Sequence, residues 1–185
     1  MSVEIVRAVA ADAVRVSTVA AVTFPLACPP DAPAADIAAH IASKLSPAAF
    51  ERYIASGDHL VLMAVEGPDA PAEASLAGYA MLVFGEPADA EVAAQLTARP
   101  TAELSKIYVD PAHHGGGIAR ALMESALDAA TARGAAAVWL GTNQQNARAQ
   151  RFYAKSGFTR VGTKRFTLGT RVEDDFIYER AFARG

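Results

Sequence analysis

The spacing of apolar and polar positions divides the chain into elements of two periods. Val3–Arg7 alternates and predicts a short edge strand, after which Asp12 suits the cap of a helix reaching about Ala21. The stretch Phe24-Pro25-Leu26-Ala27-Cys28-Pro29-Pro30 carries three prolines, which remove backbone donors and predict a loop. Asp31 is suited to cap a helix over Ala32–Ser43. Ser46 and Pro47 fit the N-cap and first position of another helix over Ala48–Ala55. Sheet character begins with Leu60–Val65 and Leu76–Phe84, a hairpin turned by Gly67–Ala74. Gly85–Pro100 reads as a loop holding one or two helical turns.

Glu103–Val109 is the next strand, ended by Asp110-Pro111. From Gly117 to Arg133, Ile118, Leu122, Met123, Ala126, Leu127 and Ala130 recur at helical spacing, with Arg120, Glu124 and Asp128 on another face. Gly134 stops that helix, and Ala137–Leu140 follows as a short apolar strand, which implies a parallel crossover. Asn143–Ser156 predicts a helix with Ala147, Phe152 and Tyr153 inward, closed by Gly157. Phe158–Leu168 and Asp175–Ala181 predict two final antiparallel strands. The sum is an α/β (α+β) chain with a mixed sheet of about seven strands, and 185 residues suit a single domain over 1–185.

A net charge of -3 and a pI near 5.8 argue against nucleic acid as a partner. Cys28 is the sole cysteine, so no internal disulfide can form, and Met1–Ala10 lacks the layout of a signal peptide. Charged or polar residues interrupt every apolar run, so no membrane span is expected. These features predict a soluble cytoplasmic protein. Adjacent His113 and His114 point apart and make a poor metal pair, so no metal site is expected.

The chemistry lies in Tyr108-Val109-Asp110-Pro111-Ala112-His113-His114-Gly115-Gly116-Gly117-Ile118-Ala119, a strand, a loop and a helix start. Glycines let the backbone turn sharply and approach a ligand, while the free N–H groups of a first helical turn attract an anion. A plain glycine-rich turn is the competing reading. No Lys follows the glycines, which excludes a Walker A loop. Arg120 stands where a dinucleotide fingerprint starting at Gly115 needs Gly or Ala.

The segment His114-Gly115-Gly116-Gly117-Ile118-Ala119 resembles the acetyl-CoA motif of the GNAT N-acetyltransferase superfamily, Gln/Arg-x-x-Gly-x-Gly/Ala, with His114 in place of the usual Gln or Arg. Downstream, Asn146-x-x-Ala149-x-x-Phe152-Tyr153-x-Lys155-x-Gly157-Phe158 is similar to a second segment of that family. The likeness runs from about Ala74 to Phe182. It implies a strongly twisted mixed sheet whose parallel strands four and five, here Glu103–Val109 and Ala137–Leu140, splay apart to admit the pantetheine arm of acetyl-CoA. It further implies that backbone groups of Ile107 and Val109 pair with that arm, that an N–H of Tyr108 or Val109 meets the oxyanion, and that His114 to Ala119 hold the pyrophosphate. Asn146 can cap its helix or reach the cofactor.

By the same resemblance Tyr153 would protonate the departing thiolate, with core packing beside Phe152 as the alternative. Glu103 would deprotonate the amine, against a solvated strand-edge charge. A regular pleat would put Glu103, Ser105, Ile107 and Val109 on one face, and a bulge would break that count. Details such as Trp139-Leu140-Gly141, Phe166-x-Leu168-Gly169 and the Phe24-Pro25 to Phe50 layout look like PaiA-type polyamine acetyltransferases. That likeness implies a small primary amine such as a polyamine as substrate, with Glu103, Asp31, Asp36, Glu173, Asp174 and Asp175 as acid groups to meet it. An antibiotic, a protein N-terminus, or a non-catalytic CoA-binding role are the other readings of the same fold, and homodimers are common among its members.

Overall fold

The computed structural model describes residues 3–67 and 76–183, so the turn expected at Gly67–Ala74 lies almost wholly outside the described residues. In chain order the elements are β1 (Val3–Arg7), α1 (Ala13–Thr23), α2 (Ala34–Lys44), α3 (Pro47–Ala55), β2 (His59–Glu66), β3 (Gly78–Phe84) and α4 (Ala90–Gln95). They continue with β4 (Thr101–Val109), α5 (Ile118–Ala132), β5 (Ala137–Asn143), α6 (Ala147–Lys155), β6 (Thr159–Leu168) and β7 (Arg171–Ala181). Among the described residues one seven-stranded sheet takes the order β1-β2-β3-β4-β5-β7-β6, and only the β4–β5 pair is parallel.

Several boundaries move for local reasons. The helix expected to start behind Asp31 begins at Ala34, with Pro33 at its N-cap, because the Asp31 carboxylate is occupied by Arg171 at 3.0 Å. Phe24–Ala27 is not open loop: Pro25 sits in the first turn of a 3-10 segment that prolongs α1, the one helical position where a missing N–H costs nothing. Strand β5 runs three residues beyond Leu140, since its pairing with β7 carries Gly141, Thr142 and Asn143 as well. The run Ala10–Ala27 is in fact long and apolar enough by composition to cross a membrane, contrary to the expectation from sequence. In this fold its Ala13, Val16, Ala20 and Phe24 are buried against α3 and the sheet.

The sheet separates two cores. One face packs α5 through Leu122, Met123, Ala126 and Ala130 against Leu62, Ala80, Leu82 and Leu104. The other packs α1 and α3 through Val16, Val19 and Phe50 against Val61, Met63, Tyr79 and Met81. Leu122 is fully buried in the first core. Leu122→Ala is expected to lower unfolding free energy by about 2–5 kcal/mol, through lost apolar burial plus the cavity left behind, as read by urea denaturation.

Two irregularities of β4 make the site. Parallel pairing with β5 covers only Thr101, Ala102 and Glu103, so from Leu104 onward the two strands part and alternate peptide groups of β4 face a gap. The register against β3 also skips Ser105, since Met81 opposes Lys106 while Leu82 opposes Leu104. That extra residue is a β-bulge, and it changes which side chains share a face. Glu103, Lys106 and Tyr108 oppose Val83, Met81 and Tyr79 on the α1–α3 side, whereas Leu104, Ile107 and Val109 pack on the α5 side. The regular-pleat grouping of Glu103 with Ile107 and Val109 is therefore overturned.

Candidate active site

A cleft of about 480 Å³ occupies the gap between β4 and β5. Of the residues singled out from sequence, Glu103, Ile107, Tyr108, Val109, His114, Gly115, Gly117, Ile118, Ala119, Asn146 and Tyr153 all line it, and Gly116 does not.

At one end the chain leaves β4 and turns into α5. Gly115 and Gly117 hold φ of +87° and +77°, the left-handed region that L side chains resist, and a Cβ at either would point into open space. That space is what an approaching ligand needs. No side chain caps Gly117, so the N–H groups of the first turn of α5 keep no intrahelical acceptor beside the cleft. These groups fit a pyrophosphate, on the positive end of a 15-residue helix dipole.

His114 is exposed beside this cradle, where its Nε2 lies 3.0 Å from the Val109 carbonyl and its Nδ1 lies 3.3 Å from Arg148 Nη2. Arg148, from the first turn of α6, also lines the cleft and was not singled out from sequence. Asn146 resolves as a cap: its Oδ1 accepts from the Ala149 N–H at 3.0 Å.

Tyr153 lines the same cleft. Its ring lies between 5.6 and 6.2 Å from those of Phe152, Phe158 and Tyr178, which fixes its direction. Burial alone pushes its hydroxyl well above the ordinary phenol range, so it stays protonated and can act only as a proton donor near neutrality. Tyr108, stacked on Tyr79 at 5.8 Å, is raised for the same reason, reinforced by Tyr153, Cys28 and Asp175.

The far end is built from β4, β6, β7 and the segment joining α1 to α2. Burial raises Glu103 above the usual carboxylate range, and Lys164, Lys106 and His59 hold back part of that rise. Burial pushes the Lys106 ammonium down to about 8 against the pull of Glu103, with Lys44 adding to the fall. Asp175 is raised to about 6, chiefly by burial, against Lys164 and with Glu173 and Asp174 adding to the rise. Cys28 lies in this wall with its thiol pushed up to about 11 by burial and Glu173, and its Sγ points to the Phe24 carbonyl at 3.4 Å. An unionised thiol of this kind is inert.

Of the acid groups named from sequence, Glu103, Glu173 and Asp175 converge here, while Asp31, Asp36 and Asp174 do not line the cleft. Asp31 pairs with Arg171, and Asp36 accepts from the Thr170 N–H and hydroxyl at 3.2 and 2.9 Å. These contacts latch the α2 end to the β6–β7 turn. Lys106, Lys164, His40 and Phe166 also line this end and were missed. Alternation on the final strands and the bulge at Ser105 were the signals available for the three strand residues, and neither is readable without knowing the register; His40 lies on α2 and had none.

The raised Asp175 has a cost. A carboxyl whose folded value lies above its unfolded one stabilises fully below the unfolded value and loses that contribution as pH rises through the folded one. Asp175→Asn is therefore expected to raise Tm above about pH 6 and to leave it unchanged near pH 3, measured by thermal unfolding across that range.

Residues 35–158 match the Acetyltransferase (GNAT) family. The chain belongs to this family. It is 42% identical over 169 residues to an uncharacterized N-acetyltransferase of Mycobacterium tuberculosis, covering 91% of this chain and 97% of that one. Among solved structures, the PaiA N-acetyltransferase of Thermoplasma acidophilum, in complex with coenzyme A, superposes with a TM-score of 0.76 at 23% identity, over 98% of this chain and 100% of that one. NAA60 of Arabidopsis thaliana with a bisubstrate analogue gives 0.74 at 15% identity, over 98% and 100%. Likeness at these identities concerns the fold. Membership makes the chain an acetyl-CoA-dependent N-acetyltransferase, and the glycine cradle with its uncapped helix start fits that co-substrate.

Proposed function

We propose that this GNAT enzyme acetylates a small primary amine by direct attack in a ternary complex, the amine held at the Glu103 end of the cleft and acetyl-CoA at the glycine end. The observation that carries the reading is that one cleft is lined by an uncapped helix start, a protonated phenol and a half-buried carboxylate. In this scheme Glu103, directly or through water, takes a proton from the ammonium, and the neutral nitrogen attacks the thioester carbonyl. A backbone N–H at Tyr108 or Val109 meets the oxyanion. As the C–S bond breaks, Tyr153 delivers a proton to the thiolate, and the second proton of the now cationic nitrogen returns to the phenolate, directly or through water. Peptide groups at Ile107 and Val109 would pair with the pantetheine arm in place of the absent strand partner.

A polyamine is the first acceptor class, supported by three convergent carboxylates and by the PaiA-like sequence details. One observation favours a second. Lys106 and Lys164 line the same end, and among the described residues neither has a carboxylate within ion-pair distance. Two cations oppose a polycation and suit an amine that also bears an anionic group.

The test is thiol release from acetyl-CoA with matched acceptors: putrescine and spermidine against ornithine and lysine, with an aminoglycoside and short peptides alongside. Saturable turnover with the plain polyamines supports the first class, and turnover only with the carboxylate-bearing amines supports the second. Turnover confined to the aminoglycoside or peptides discards both. Tight CoA binding with no turnover across the panel discards the enzymatic scheme itself.

A further inference from the structure

The glycine loop of this chain lacks the Gln or Arg of the pattern it resembles, and His114 stands there instead. The pair formed by His114 and Arg148 has a defined direction. A guanidinium has no acceptor, so Arg148 Nη2 donates and His114 Nδ1 accepts at 3.3 Å. The remaining ring proton is then on Nε2, which donates to the Val109 carbonyl at 3.0 Å. In this arrangement the imidazole bridges the end of β4 and the first turn of α6. The positive charge at this end of the cleft belongs to Arg148.

Three cations of Lys or Arg type line the cleft, and two of them, Lys106 and Lys164, stand with Glu103 and Asp175 at the acceptor end. Arg120, the other cation near the start of α5, lies outside the cleft and is bound to Glu124 at 2.7 Å. Arg148 has no carboxylate within ion-pair distance among the described residues, and His114 is its sole hydrogen-bond partner there. Its other donors are directed by a short helix whose start is itself capped by Asn146. A forked, permanently charged group with spare donors, beside an uncapped helix start, has the chemistry of a phosphate clamp.

We infer that Arg148, presented by His114, is the residue that binds a phosphate of the acetyl-CoA molecule in this chain, and that it takes the place of the Gln or Arg side chain missing from the glycine loop. The inference rests on the assignment of the glycine end to the acetyl donor and goes beyond it in naming the charge and its positioning residue. The clamp is split between two elements, one supplying backbone N–H groups and the other a side chain.

Calorimetric titration of CoA into the whole protein tests it, with folding of each variant checked by circular dichroism. Arg148→Ala is expected to weaken CoA binding about tenfold to a hundredfold, the range of one charge-assisted hydrogen-bonded contact. The slope of log Kd against log salt should flatten with it. His114→Ala should weaken binding less, by a few fold, because the guanidinium is retained but no longer held. Adding His114→Arg to the Arg148→Ala variant should recover affinity by returning a cation to the loop.

Titration of 3′-dephospho-CoA separates the two phosphate sources. If Arg148→Ala weakens it as much as CoA, the clamp acts on the pyrophosphate; if the loss disappears, it acts on the 3′-phosphate. An Arg148→Ala protein that folds and binds CoA within twofold of the parent overturns the inference while leaving the donor site in place. A parent protein that binds no CoA overturns the donor assignment underneath it.

Discussion

Replacement of Tyr153 by phenylalanine is expected to lower kcat by about 10²–10⁴-fold, the usual contribution of a positioned general acid, while Kd for CoA stays within a few fold. The change removes one oxygen and leaves the ring in its aromatic surround of Phe152, Phe158 and Tyr178. Its packing should therefore survive. Because burial holds the hydroxyl protonated well past the ordinary phenol range, the parent should show no alkaline fall in kcat near pH 10 from ionisation of this group. Stopped-flow thiol release in single turnover reads the chemical step directly. A Tyr153→Phe enzyme with undiminished single-turnover rate removes the phenol from the mechanism and returns Tyr153 to core packing.

Glu103→Gln is the second large effect, a loss of about a hundredfold or more in kcat/KM for the amine. The base acts only when ionised, and burial raises its titration above the ordinary glutamate range. In the parent, kcat/KM should therefore climb as pH rises through that raised value, and climb again as the free amine deprotonates. In Glu103→Gln the first rise should vanish and the second remain. Identical profiles for the two enzymes would leave Glu103 as an acceptor-binding charge, with no part in proton transfer. Lys106 stands on the same face with its ammonium pushed down to about 8, and the comparison with Glu103→Gln, which keeps Lys106, isolates the limb that belongs to Glu103.

How much of this was legible beforehand divides along a physical line. The donor end was readable because its chemistry is local: a strand, three glycines and a helix start are consecutive in the chain, and the geometry they need is written in residues that adopt positive φ. The parallel crossover from β4 to β5 was implied by the strand–helix–strand pattern, whereas the order of the seven strands was not read from the sequence. The opposite end was readable only in its acid groups Glu103, Glu173 and Asp175, and its remaining residues meet only through register. Lys164 and Asp175 oppose each other on a hairpin, and Lys106 reaches their side of the sheet only because Ser105 is skipped. The loop expected around Pro25 failed for a smaller reason, that a proline is tolerated in the first turn of a helix. Arg148 was passed over because nothing in one sequence tells which side chain of an amphipathic helix will meet a loop 34 residues upstream.

The bulge at Ser105 bears on how such an enzyme diverges. One inserted residue assigns neighbouring positions of a single strand to opposite sides of the sheet, so the side chains at 103, 106 and 108 can change while those at 104, 107 and 109 continue to pack on the α5 side. Duplicated descendants can thus change the face of β4 turned toward α1 and α3 without repacking the face that rests on α5.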